Sequence, residues 1–327
     1  MARANIWVPS SLESLSQYSN ETLSYGEFRN SIKKNYISNC APFLTSWLGI
    51  FAASIFLIKM ETPSGSAAFL WVALGVMVLV PLIHRLLLLV HEGAHLHFSQ
   101  SRKVNDLITN VFAGVFLASE VSTYRKVHTL HHRQIGKEDD PENSYVNEFD
   151  FSWIATAVSG VYTIKTIVKR RSRVSSRRQS LLMLATIVLH PFTVVVSVSN
   201  GHLLFALTWI LSWFVFLPVM AATRNLLEHR YTESEMHFEI QESIVGFSNV
   251  TTRLFTRNLL SKVVGPIGFD RHVIHHWDPS IAAKDLDKVH QFLLSTELRP
   301  MLEDLPTTYF DAARHIWRSK NEPMSSL

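Results

Sequence analysis

The chain has 327 residues, 47% of them hydrophobic and only 18% charged, with a mean hydropathy of +0.12; this argues against an ordinary soluble domain and for a membrane protein. A net charge of +4 and a pI near 9.1 do not point to nucleic acid, because the basic residues sit beside apolar runs rather than among aromatics. Cys40 is the single cysteine, which excludes an intrachain disulfide and any thiolate-rich zinc or iron–sulfur site, so any metal has to be held by His, Asp or Glu.

The first forty residues are polar and mixed, with no basic-then-apolar pattern, and are expected to form a cytosolic segment (1–40) without a cleavable signal. Two apolar runs follow. One spans Ala41 to Ile58; the other starts near Ala67, stays apolar through Ile83 and continues through His84 and Arg85 into His91. Each is long enough for a hydrocarbon core of about 30 Å, which takes roughly 20 helical residues. The turn from Met60 to Ser66 joins them into a first transmembrane hairpin, 41–95. Residues 96–180 are then expected to be cytosolic or interfacial. Within them Leu107 to Ala118 and Phe151 to Ile167 are too short or too polar to span, and read as interfacial or re-entrant helices. A second hairpin, 181–222, comprises Leu181 to Val198 and Leu203 to Ala222, joined by Ser-Asn-Gly-His turn chemistry. Residues 223–327 complete a cytosolic helical cap.

Lys33 and Lys34 precede the first span, and Lys169, Arg170, Arg171, Arg173, Arg177 and Arg178 precede the third, whereas the hairpin turns carry almost no positive charge. The positive-inside rule therefore puts both chain ends and the segment 96–180 in the cytosol. Topology and anionic-lipid contact are the simpler explanation of the 169–178 cluster; a dock for an acidic electron-donor protein is the other.

Nine of the 16 histidines fall in four groups. They are His91 and His95, at the cytosolic end of the second span; His128, His131 and His132; His229, four residues after Asn225; and His272, His275 and His276. On a helix, residues three or four apart share a face, so each group can present its imidazoles to one pocket. Each ligating imidazole needs an acceptor on its other nitrogen, and Glu92, Glu120, Glu228, Asp139, Asp140 and Asp270 are near enough in sequence to supply one. Nine imidazoles and Asn225 exceed the shell of one ion, which takes about six ligands, so two metals are expected. Non-haem iron leads, although histidine alone does not exclude zinc. The hydropathy and Lys/Arg pattern independently puts all four groups on one side of the membrane.

These residues resemble the membrane fatty acid desaturase family, which is marked by three histidine boxes. Here they read HEGAH, HTLHH and HVIHH. Asn225 and His229 are similar to the Asn-x-x-x-His element of acyl-CoA desaturases, where the histidine binds iron and the asparagine reaches it through water. The stretches His132 to Pro141 and His275 to Pro279 also resemble the family, so that the likeness covers roughly residues 40–290. It implies an all-α polytopic fold with four membrane helices and a cap holding a dimetal site. It further implies two non-haem iron ions, dioxygen, and electrons from a separate ferredoxin or b-type cytochrome. The implied reaction removes hydrogen from an unactivated C–H bond of a lipid or fatty acyl substrate, introducing a double bond or, in hydroxylating and ketolating relatives, oxygen. The ligand set is His91, His95, His128, His131, His132, Asn225, His229, His272, His275 and His276. No catalytic residue is expected beyond these ligands, and His97 is an additional candidate beside them. The three-residue gap in the first box and Trp277 after the last pair depart from common patterns and leave desaturation and hydroxylation both open.

Simpler roles suffice for His84, His190, His202, His237, His290 and His315, although His84 and Arg85 lie deep enough in a span to be functional candidates. The chief rival is an intramembrane zinc protease, since HEGAH is formally His-Glu-x-x-His with a general-base glutamate. That reading leaves both His-x-x-His-His groups unused. Gly93, which weakens a helix by about 0.8–1 kcal/mol relative to Ala, is also an odd choice in the scaffold of a lone zinc motif. Haem binding and metal transport fit poorly, because the clusters lie at or outside the span ends.

Overall fold

The computed structural model describes residues 15–61, 64–134, 140–142, 151–161, 164–165, 176–229 and 252–318. Among them the chain is all-α, with no strand and two isolated bridges. In chain order the helices are α1 (Tyr25–Ser31), α2 (Tyr36–Lys59), α3 (Ser66–Ala94), α4 (Arg102–Leu117), α5 (Val121–Gln134), α6 (Phe151–Val158), α7 (Arg177–Ser199), α8 (Leu203–His229), α9 (Leu259–Val264), α10 (His272–Trp277), α11 (Leu286–Leu293), α12 (Arg299–Asp304) and α13 (Tyr309–Arg318). Lys169, Arg170, Arg171, Arg173, Asp139, His237 and the end of the Phe151 to Ile167 stretch lie outside the described residues.

The chain divides into two compact units. A membrane unit comprises Tyr36–Lys126 and Asp150–Ala222, and a histidine-rich unit comprises Met1–Asn35, Val127–Phe149 and Thr223–Leu327.

In the membrane unit, α2, α3, α7 and α8 are the four helices long and apolar enough to cross a bilayer. Each outruns the apolar run that marks it in the sequence; α3 carries on to Ala94 and α8 to His229, which draws two of the histidine groups onto span ends. The exposed faces are themselves apolar (Leu44, Leu48 and Phe51 on α2, Phe69 and Leu70 on α3, Leu184, Ile187 and Val188 on α7), as lipid contact requires. Inside, Val72, Val76 and Val80 form a stripe packed against Leu204, Leu211 and Met220. Gly75 continues that contact: a Cβ there would sit 2.6 Å from Thr208 Cγ2, so α3 and α8 meet through a small residue, as membrane helices do where dispersion must replace the hydrophobic effect. Glu61 accepts hydrogen bonds from the Leu204 and Phe205 amides at 2.7 and 3.2 Å and satisfies the exposed start of α8.

Leu107 to Ala118 lies mostly within α4, which breaks into α5 at a bend of 89°. Ala118 adopts a left-handed conformation at the break, with φ +52°. A break strips backbone groups of their helical partners, and leaving them bare in an apolar setting is costly. One face of α7 supplies the replacements. Gln179 donates to the Ala118 carbonyl (2.8 Å) and accepts from the Glu120 amide (2.9 Å). The Thr186 hydroxyl accepts from the Ala118 amide (3.1 Å) and donates to the Val115 carbonyl. His190 donates from Nε2 to the Phe116 carbonyl (2.9 Å) and accepts from Trp209 Nε1 at Nδ1 (3.1 Å), which fixes its tautomer and gives it a structural role. Thr186→Val removes both of its bonds to the break while keeping volume. It should lower stability by about 1–3 kcal/mol, read as a drop in the thermal midpoint of the detergent-solubilised protein.

In the histidine-rich unit, α13 packs onto the end of α8 through Leu226, Leu227, Phe255, Tyr309, Ala312 and Ile316, with the Phe255 and Tyr309 rings stacked at 3.7 Å. Before α10 the chain turns through two residues of positive φ, Ile267 (+66°) and Gly268 (+103°). A Cβ at Gly268 would fall on the Ala283 carbonyl, so the tight entry to α10 requires glycine there.

Candidate metal centre

In the membrane unit the first histidine group closes α3. His91 occupies the last turn and His95 the cap position, with ring centroids 5.0 Å apart and ligand nitrogens within 4.8 Å of each other. The chain then turns back: the His97 amide bonds the Glu92 carbonyl at 3.3 Å, and His97 Nδ1–H donates to the Glu92 carboxylate at 3.0 Å. Glu92 is thereby engaged by an imidazole, and its other oxygen lies 3.8 Å from His91 Nδ1. The end of α3 has partners that its own sequence does not reveal. Arg125 on α5 donates to the Ala94 and Gly93 carbonyls at 2.7 and 2.9 Å and pairs with Asp106. Asn105 on α4 donates to the Gly93 carbonyl at 2.8 Å. Charged and amide donors thus complete the terminal carbonyls of the helix that carries His91 and His95.

The histidine-rich unit brings the other groups together. α5 carries His128, His131 and His132; the end of α8 carries Asn225, Glu228 and His229; α10 carries His272, His275 and His276. One cluster holds His128, His132 and His275, with Nε2 of His132 lying 3.0 Å from that of His128 and 3.3 Å from that of His275. A second holds His131, His229 and His276, and a third overlaps it through Glu228, His229 and His272. Nε2 of His272 lies 3.0 Å from that of His276 and 3.3 Å from that of His229. Imidazole–metal bonds of about 2.1 Å put neighbouring donors about 3.0–3.4 Å apart, so these separations are compatible with nitrogens that share an ion. Asn225 Oδ1, one turn before His229, is buried with no hydrogen-bond partner among the described residues, as suits an atom reserved for a water or ion.

The outer ring nitrogens face acceptors. His131 Nδ1–H donates to Asp140 at 2.8 Å, His128 Nδ1–H to Glu142 at 3.3 Å, and His229 Nδ1 lies 3.3 Å from the Thr252 hydroxyl. The Glu142 amide donates to Asp140 at 2.8 Å, tying the two carboxylates into one turn. Such partners fix ring tilt and turn Nε2 toward the cluster. Glu228 stands apart from this pattern: Arg224 pairs with it at 2.7 Å, Tyr309 donates to it at 3.2 Å, and its carboxylate lies 3.7 Å from His272 Nε2, within the ligand cluster itself. Two of the other sequence candidates have different work. Asp270 pairs with Arg257 at 3.1 Å, and Glu120 accepts from the Ser122 and Thr123 amides at the start of α5. Glu142 was the acceptor that spacing did not single out, although it lies in the acidic stretch after the second box.

Burial, followed by the neighbouring imidazoles, holds His132, His272 and His276 well below the ordinary histidine pKa, so they are neutral. Burial pulls His131 the same way, but the Asp140 hydrogen bond and the charges of Glu142, Asp140 and Glu228 outweigh it and raise it. A crowd of neutral, buried imidazoles backed by carboxylates is an arrangement that a cation stabilises and that water serves poorly.

No curated protein matches the chain. The fatty acid desaturase family model matches residues 66–311, three quarters of the sequence and all four histidine groups. The protein is an integral membrane, desaturase-type oxidoreductase with histidine clusters suited to metal, and it belongs to the fatty acid desaturase family.

Proposed function

We propose that the protein is a dioxygen-dependent diiron enzyme that removes hydrogen from an unactivated C–H bond of a lipid or fatty acyl chain and introduces a double bond. The observation that carries this reading is the convergence of Nε2 atoms at 3.0–3.3 Å, backed by Asp140 and Glu142 on the outer nitrogens. His128, His131, His132, His229, His272, His275 and His276 would hold the ions, with His91 and His95 of the first box completing the set and Asn225 reaching it through water. Iron held there would, once reduced by two electrons, activate dioxygen, which is the oxidant that takes the two hydrogens from the aliphatic chain and leaves as water. The protein side chains bind and orient: Asp140 and Glu142 set ring tilt, Arg224 balances the Glu228 carboxylate, and burial keeps competing water from the oxidant. Both chain ends and the boxes would face the cytosol, by the Lys33, Lys34, Arg177 and Arg178 pattern, where a separate ferredoxin or b-type cytochrome delivers electrons. Residues 41–95 and 181–222 would be the transmembrane hairpins, with the cap drawn from the segments around them.

Elemental analysis of the detergent-purified chain, followed by incubation with acyl lipids and a reduced donor, tests this. About two irons per chain and an unsaturated product are expected, since nine imidazoles and Asn225 are more donors than one ion takes. A hydroxylated product would assign the same centre to oxygen insertion. A single zinc and cleavage of a peptide substrate would move the protein to the protease reading, against which the engagement of Glu92 by His97 already counts.

A further inference from the structure

The third box sits on a helix of only six residues, α10, too short to be stable alone. Its register therefore depends on what holds its ends. At the start, Arg271 donates to the Phe255 carbonyl at 2.8 Å. At the finish stands Asp278, fully buried, whose amide closes the last turn onto the Ile274 carbonyl at 2.9 Å. Its Oδ1 accepts from the Ser280 amide (3.1 Å) and hydroxyl (2.6 Å). Its Oδ2 is held from far away in the sequence: the Tyr25 hydroxyl donates at 2.9 Å and Arg29 Nε at 2.7 Å, while Arg29 Nη2 reaches the Ser280 hydroxyl at 2.6 Å. Tyr25 and Arg29 lie on α1, before the segment that the family model matches.

Helix α1 is built to stay in place. Ser24 and Glu27 form a reciprocal capping box at its start, and Phe28 stacks on Phe292 of α11 with centroids 4.2 Å apart and planes 12° apart. Tyr25 is itself fully buried, and burial, together with the charge of Asp278, raises its hydroxyl pKa, so it remains a donor. A buried carboxylate needs such partners, because an unpaired charge out of water is strongly unfavourable. Without Arg29, Asp278 would turn toward water and carry the end of α10, with His275 and His276, out of register.

We propose that the segment from Leu15 to Ser31 is a clamp on the third histidine box, with Tyr25 and Arg29 as positioning residues acting through Asp278. The proposal rests on the reading that His272, His275 and His276 bind metal. The test uses the full-length protein in detergent and compares wild type, Arg29→Ala, Arg29→Lys and Tyr25→Phe by iron per chain, rate of iron release to a ferrous chelator, and thermal midpoint. Arg29→Ala should release iron roughly tenfold faster or more, the scale on which orienting partners act on metal affinity. Arg29→Lys should recover part of this, and Tyr25→Phe, which removes only a hydroxyl and keeps the ring, should show a smaller acceleration even if Arg29→Ala fails to fold. A lowered thermal midpoint with iron content and release rate unchanged in the folded variants would overturn the clamp and leave the metal centre standing. A wild-type chain that takes up no iron would overturn both.

Discussion

His276→Ala should strip the protein of much of its iron and reduce turnover by more than about 100-fold, beyond the upper end of what loss of a mere orienting partner costs. His276 Nε2 lies 3.0 Å from that of His272, its ring centroid is 4.4 Å from that of His132, and it clusters with His131 and His229, so its removal opens a ligand position in the middle of the group. The control is His290→Ala. His290 is also buried, belongs to the same unit and has its pKa pushed down to about 4 by burial, yet it falls in none of the clusters. Its loss should leave iron stoichiometry as in wild type. Asp140→Ala should fall between the two, with a loss of about 10–100-fold in metal affinity, because His131 keeps its nitrogen but loses the acceptor that sets its tilt. Elemental analysis and product formation on the same preparations read all three. Equal iron retention in His276→Ala and His290→Ala would remove the basis of the ligand assignment.

The parts of this protein that were legible in its sequence are those that repeat a simple physical rule. Hydropathy marks α2, α3, α7 and α8, because a bilayer imposes length and apolarity on every residue of a span. Spacing marks the boxes, because helical ligands to one pocket must recur at three or four residues. The supports were not legible, because they act on backbone carbonyls and carry no spacing rule. Gln179, Thr186 and His190 are ordinary polar residues in a span until the break at Ala118 to Glu120 is seen to need them. Arg125 reads as one more base before the second box, yet it holds the end of the helix that carries the first. The clamp on Asp278 joins residues 253 and 249 positions apart, a distance over which one sequence gives no signal. Asp140 and Glu142 were half visible: their acidity marks them, but which histidine each faces depends on the turn between them.

Gly93 is where the sequence and the structure lead to opposite expectations for one substitution. Helix propensity alone says that Ala at this position should stabilise α3 by about 0.8–1 kcal/mol. The packing says the reverse. A Cβ at Gly93 would fall on the Thr109 hydroxyl and lie 2.6 and 2.9 Å from Thr109 Cγ2 and Cβ. Thr109 is fully buried on α4 and bonds the Asn105 carbonyl at 2.8 Å, so its side chain has little freedom to move aside. Pushing α4 away would also stretch the Asn105 bond to the Gly93 carbonyl, and with it the anchor of the turn that carries His95 and His97. Overpacking costs about 1–3 kcal/mol, and weakening one of the bonds to the Gly93 carbonyl, which keeps Arg125 as a donor, adds about 0.5–1.5 more, so that the total outweighs the gain in propensity. Gly93→Ala should therefore lower the thermal midpoint and accelerate iron release. Gly93→Ala with Thr109→Ala should recover part of both, because the two nearest atoms are gone and only a Cβ–Cβ contact of 2.9 Å remains to be relieved by a small shift. A single variant more stable than wild type, with unchanged iron, would mean that α4 does not approach α3 this closely and that the glycine serves neither the helix nor the site.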